Sequence, residues 1–303
     1  LIFPFGILTA TAVIFLVQSR AGNRLRRILL VTLLVLGIFE LFRFGWKYTP
    51  FSPRHIIFPT TPVLDFLVSQ EKPVRVTGSK VIPINMKMPY KLESLEGYEP
   101  VYPLKVAKFL AALSGKRSGT QPLGRYGTVD NDTSEILDLV NTKYYLTLKF
   151  DKKGLPNPNG EIPDYFDSQR FEVVFEDKTT AVLESKSALP RAFMVYDWEI
   201  TRDEKEILNN LLDENFPLAE KVVLEEEPLI KKSNRAKIAS KVEYEVYSEN
   251  RSLINVETEE DGILFISDTW YPDWYAFIDG EAVEILRTNF NFRGIPIPKG
   301  GHI

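Results

Sequence analysis

Residues 28–46, ILLVTLLVLGIFELFRFGW, constrain this chain more than any other stretch. Ten of the first twelve are Leu, Ile, Val or Phe. At roughly −0.3 to −0.6 kcal/mol each at a helix centre, they favour membrane insertion by about 5 kcal/mol. Glu40 and Arg43 oppose it, each by about 2.5–3.5 kcal/mol at a central position, but they stand near the exit end, where the cost falls. As a helix the stretch spans about 28 Å, close to a hydrocarbon core of about 30 Å. In lipid only a helix satisfies its own backbone, so a membrane helix is predicted, with Phe44, Trp46 and Tyr48 as its aromatic exit. Three residues apart, Glu40 and Arg43 share a face and can pair, either as a polar contact with other membrane helices or a headgroup or as a snorkelling pair at the interface.

A second apolar run, residues 1–17, precedes it. A signal peptide carries its basic residues before the apolar run; here Arg20, Arg24, Arg26 and Arg27 come after. The two runs therefore read as a transmembrane α-helical hairpin, residues 1–46. The positive-inside rule puts its Arg-rich turn in the cytoplasm. The expected location is the cell membrane, multi-pass, with residues after about 47 extracytoplasmic. Beginning at Leu1 and stopping at Ile303 within a strand-like pattern, the sequence reads as part of a longer protein.

Composition excludes some classes of function. A net charge of −4 with no extended basic stripe gives no reason to expect nucleic acid. The absence of cysteine removes disulfides and thiolate metal sites.

Beyond a connector with four prolines (residues 47–62), the pattern is that of a soluble α+β domain, residues 47–188. Helices are expected over 61–70, 102–113 and 132–140, and strands over 74–84, 143–150, 171–176 and 180–184. An antiparallel β-sandwich, residues 189–303, is expected to follow. It starts with a strand at 191–197 and a helix opened by the capping box Thr201-Arg202-Asp203-Glu204. Strands then alternate over 237–247, 252–259, 263–267, 276–278, 283–286 and 290–297. Asp261-Gly262 and Asp279-Gly280 are predicted hairpin turns. The charge runs 225–227 and 231–237 read as solvated segments.

Few residues carry recognisable chemistry. His55 and His302 lack second ligands at metal spacing, and neither Walker nor G-x-G-x-x-G sequences occur. Residues 114–119 (SGKRSG) lack phosphate-loop spacing and read as a flexible loop. Asn131-Asp132-Thr133 and Asn250-Arg251-Ser252 fit the N-glycosylation pattern, which is frequent by chance. One constellation is dense: Asp268, Trp270, Tyr271, Asp273 and Trp274, with Asn289, Asn291 and Arg293 on the following segment. It has two readings. The aromatics and carboxylates stack on and hydrogen-bond a glycan or lipid headgroup, or the indoles plug the end of the sandwich while the aspartates form turns.

Residues 262–302, GILFISDTWYPDWYAFIDGEAVEILRTNFNFRGIPIPKGGH, resemble the C-terminal extracytoplasmic domain of the YfhO family of bacterial membrane proteins. That family's pattern is G-x-L-x-x-S-D-x-x-Y-P-G-W-x-A-x-x-D-G, a hydrophobic strand, R-G-x-x-(I/V)-P and G-x-H. Shorter echoes are Gly97-Tyr98-Glu99-Pro100, residues 136–145 and Leu189-Pro190-Arg191-Ala192. Asp273 stands where the family has Gly, a turn position Asp tolerates. The resemblance implies a GT-C-like enzyme that moves a sugar from a polyprenyl-phosphate carrier to envelope glycopolymers. Its catalytic acid, and any divalent metal, would belong to the first large outer loop among early helices that this sequence lacks. It therefore implies no catalytic residue, metal ligand or cofactor here, and implies that the chain continues past Ile303 with another strand and a helix. Rival expectations are a non-catalytic, membrane-anchored surface module that binds glycan, and a transport partner for envelope polymers.

Overall fold

The structure, a computed structural model, describes residues 2–48, 52–78, 80–115, 124–233, 235 and 238–303. Residues 116–119 of the SGKRSG stretch and part of the 231–237 charge run lie outside them. The chain forms two compact units, Leu1–Pro59 and Thr60–Ile303.

In the first unit, α1 (Ile2–Gln18) and α2 (Asn23–Tyr48) are joined by a short turn, in which Arg20 N–H donates to the Val17 carbonyl at 3.1 Å. A single-turn helix, α3 (Arg54–Ile57), follows. Among the described residues α2 alone is long and apolar enough to cross a membrane, and α1 is a shorter apolar helix. No residue of α2 is buried: Leu34, Leu41 and Phe42 face outward, an arrangement suited to lipid rather than water. Glu40 and Arg43 form the expected pair, with Arg43 Nε donating to Glu40 Oε2 at 2.6 Å.

The second unit opens with α4 (Pro62–Val68), whose first turn carries Pro62 and is capped by the Thr61 hydroxyl. After it come β1 (Arg75–Thr77), a 3₁₀ helix at Ile84–Tyr90, β2 (Gly97–Tyr98), α5 (Leu104–Leu113), β3 (Tyr126–Gly127) and α6 (Ile136–Leu139). Then follow β4 (Thr142–Leu148), β5 (Phe171–Glu176) and β6 (Thr180–Ser185). These strands form a sheet in the order β1-β4-β6-β5, with β1 parallel to β4 and the other pairs antiparallel. The period of two in β4 separates two cores. Tyr144 and Leu146 pack with Val63, Leu67 and Val182, while Tyr145 points the other way, into the main core.

The remaining elements are β7 (Ala192–Val195), β8 (Asp197–Ile200), α7 (Glu204–Leu211), β9 (Lys221–Leu224), β10 (Ser240–Tyr247) and β11 (Ser252–Thr258). They are followed by β12 (Gly262–Thr269), β13 (Ala276–Ile278), β14 (Glu281–Val283), β15 (Leu286–Thr288), β16 (Phe292–Ile297) and β17 (Gly300–His302). One sheet has the order β7-β12-β16-β15-β9-β8. Its two edge strands are consecutive in the chain with only Tyr196 between them, so the sheet curls into a half-barrel whose edges stay unpaired with each other. The expected single strand over 191–197 is thus two strands of opposite edges. The curl encloses Val195, Trp198, Val223, Phe265 and Phe292, which share one core with Leu137, Tyr145 and Leu183 from before residue 189. A second sheet, β10-β11-β17, shares an apolar layer with the curled one, built from Met194, Val256, Leu264 and Ile266.

An apolar N-terminal helix followed by a mixed α/β region with several sheets is therefore the architecture. Three local expectations change. The pair β8–β9 is parallel, with α7 as its crossover, so the region after 189 is not wholly antiparallel. The cap of α7 is Asp203, whose Oδ1 accepts from Lys205 N–H at 2.8 Å, and Thr201 instead bonds Glu206. Asp261-Gly262 makes no hairpin, since β11 pairs with β10 and β17 while β12 pairs with β7 and β16. The dipeptide carries the chain between sheets, and Gly262 is there for space: a Cβ would lie 2.8 Å from the Tyr196 ring. Asp279-Gly280 is a true two-residue hairpin, with both φ values positive, 52° and 93°.

Candidate functional site

The ladder between β12 and β16 shifts register between Ile266 and Thr269, which re-aims Ser267 and Asp268. Asp268 Oδ1 accepts from Arg75 Nη2 and from Arg191 Nη1, each at 3.3 Å. Arg75 also donates to the carbonyls of Val140 at 2.5 Å and Ser267 at 2.7 Å. Arg191, whose side chain is 0% exposed, donates in addition to Glu93, which accepts from the Tyr247 hydroxyl at 2.8 Å. Burial, reinforced by Arg191, pushes the Arg75 guanidinium down to about 10, so it stays charged at neutral pH. Burial pushes the phenols of Tyr244 and Tyr247 up. Asp268 is thus counter-ion to two buried guanidiniums rather than a group offered to a ligand.

The two indoles have different surroundings. Trp270 Nε1 donates to the Ile285 carbonyl at 2.9 Å, its main-chain N–H donates to the Asn291 carbonyl, and Arg287 covers its ring. Trp274 sits at the end of a turn closed by its N–H to the Tyr271 carbonyl, and the Arg293 guanidinium carbon lies 3.9 Å from its ring centroid. Tyr271 and Asp273 are exposed. Asn289 is fully buried, with backbone φ at 46°, and its Oδ1 accepts from Val223 N–H at 2.8 Å, so it pins β9. Asn291 is buried beneath Trp270.

Of the eight residues singled out from sequence, Asp273, Trp274 and Arg293 come together on the wall of a groove of about 560 Å³. That volume falls within the range of ligand-binding clefts. The groove lies between β11, the faces of β12 and β16 that point away from the enclosed core, and the β13–β14 hairpin. Its walls are aliphatic, Ile254, Val256, Leu264, Ile266 and Ile295 among them, and polar groups stand at Arg251, Asp273, Arg293 and His302. His302 Nδ1 is 2.7 Å from Asp279 Oδ2, and this bond holds the Asp279 carboxyl below the usual carboxylate range. Sequence reasoning missed the aliphatic walls because Ile254 and Ile295 follow the same alternation as core residues. It passed over the His302–Asp279 pair because the two are distant in sequence.

No family model matches this chain, and neither do curated proteins or solved structures. Among the described residues, no three His, Cys, Asp or Glu side chains converge to hold a metal ion. The groove thus brings together aromatic faces, a hydrocarbon wall and a partly buried guanidinium.

Proposed function

We propose that the chain is the late membrane segment and outer domain of a YfhO-type membrane protein, a GT-C-like transferase that uses a polyprenyl-phosphate sugar to modify envelope glycopolymers. The forty-residue resemblance over 262–302 supports this, and so does the apolar helix α2. The observation that carries it is Trp274, clamped by Arg293 beside exposed Tyr271 and Tyr275 at the edge of a ligand-sized groove. Held aromatic faces of this kind stack on sugar rings at little entropic cost. In this reading α1 and α2 form a membrane hairpin, residues after about 47 are extracytoplasmic, and the two sheets after residue 189 make a sandwich-like support for the acceptor glycan. Holding the polymer restricts its approach to the carrier, which favours transfer.

The deciding experiment is a lipid-linked sugar transfer assay on the full-length protein, native and Trp274→Ala. Transfer that falls in the variant with an unchanged melting temperature supports the reading. No transfer, with glycan binding intact, leaves the membrane-anchored binding module, which the aromatic residues at the edge of the groove also favour.

A further inference from the structure

The same groove has a feature that glycan recognition does not use. Its deeper wall is hydrocarbon: Ile254, Val256, Leu264, Ile266 and Ile295 offer a sugar no hydrogen bonds. At one end stands Arg293. Its Nε donates to the Thr269 carbonyl at 2.9 Å and its plane rests on Trp274, but among the described residues no protein group accepts from its two terminal amino groups. Burial lowers the pKa of this guanidinium. A partly desolvated cation with unspent donors favours an anion of matching geometry. Arg251 adds a second positive charge on the lining; two carboxylates oppose them, exposed Asp273 on the lining and Asp268, whose charge acts on Arg293. At the other end the His302–Asp279 pair binds β17 to the hairpin tip.

We propose that this groove binds a single-chain amphiphile with an anionic head, the chain lying along the aliphatic wall and the head on Arg293. This chemistry is that of the carrier in the proposed transferase, so the inference deepens that reading by placing an anionic amphiphile in this groove, and a binding test that needs no transfer activity separates the two.

The test uses the full chain in phosphatidylcholine nanodiscs with dodecyl phosphate bearing a terminal diazirine, and labelled peptides are mapped by mass spectrometry. Labelling is expected on β11 and β16. Unlabelled dodecyl phosphate and laurate should compete with it, and dodecanol, dodecyltrimethylammonium and orthophosphate should not. A stronger effect of dodecyl phosphate than of laurate identifies a phosphate-headed lipid as the source, and equal competition identifies any anionic head; both support the proposal. Arg293→Gln should weaken labelling about tenfold or more, the loss of a charge-assisted contact. Because the competition series uses the native chain, its outcome does not depend on the variant folding. Labelling confined to α1 and α2, or equal competition by dodecyltrimethylammonium, overturns the proposal. Failure of sugar transfer alone leaves it standing.

Discussion

Arg287 lies across the face of Trp270, its guanidinium carbon 4.0 Å from the ring centroid, while Arg287 Nη1 donates to Glu225 at 3.0 Å. Trp270 is therefore fixed on its ring face, at its indole N–H and through its backbone, whereas Trp274 borders the groove. Trp270→Ala should lower stability by about 2–3 kcal/mol in guanidinium unfolding. Trp274→Ala should cost about 1 kcal/mol or less and act mainly on ligand binding. The opposite order of unfolding midpoints would show that the roles assigned to the two indoles are reversed.

Lys87 and Glu96 form an ion pair at 2.5 Å with side chains only 2% and 1% exposed. Lys87→Met leaves the carboxylate buried and uncompensated, and should destabilise by about 3–5 kcal/mol. Adding Glu96→Gln removes the orphan charge while keeping an acceptor for Gly78 N–H, and should restore much of that loss. Urea melts of the three proteins decide it; a double variant no better than the single one argues against the charge as the cause.

Burial raises the Asp132 carboxyl to about 6 from an ordinary value of 3.8, against the opposing pull of Lys80. The folded state therefore prefers the protonated form. Its contribution is fully present below the unfolded pKa and is lost as pH rises from about 4 through 6. Asp132→Asn should raise the melting temperature at pH 7 and have little effect at pH 4. A difference independent of pH over that window would exclude titration of Asp132 as the source.

At Gly294 a Cβ would lie 2.2 Å from Thr288 Oγ1, inside the curled sheet. Gly294→Ala should cost at least about 1–3 kcal/mol by overpacking. Removing the hydroxyl in the double variant Gly294→Ala, Thr288→Ala leaves Ile263 Cγ2 at 3.0 Å as the closest contact, ahead of the Thr288 Cβ at 3.3 Å, and should relieve part of the penalty. Thermal unfolding of both variants measures the relief directly.

The chain contains no cysteine, so single substitutions report topology without background. If the proposed orientation holds, with the Arg-rich turn inside, Gly22→Cys should resist an impermeant maleimide in intact cells. Leu229→Cys, at a side chain 100% exposed, should be labelled. Labelling of the first and protection of the second would invert the orientation.

Local chemistry was legible wherever neighbours in sequence decide the outcome. A mostly apolar run specifies α2, aromatic and β-branched residues specify β4, whose period of two sends Tyr144 and Tyr145 to opposite faces, and Asp279-Gly280 specifies its hairpin because both residues tolerate positive φ. Asp261-Gly262 shows the limit. The same dipeptide crosses between sheets here, because the partners that accept β12 are β7 and β16 rather than its sequence neighbour β11.

The site divides along the same line. Aromatic and charged residues between 268 and 274 stand out in any reading of the chain, and they do lie near one another. Their roles were settled elsewhere: Arg75, 193 positions away, draws Asp268 into an ion cluster, and Ile254 and Ile295 build the wall that Trp274 borders. Periodicity states that a side chain is apolar and which face of its strand it takes. Whether that face meets another sheet closely or leaves a groove depends on long-range pairing and curl, which no local pattern encodes.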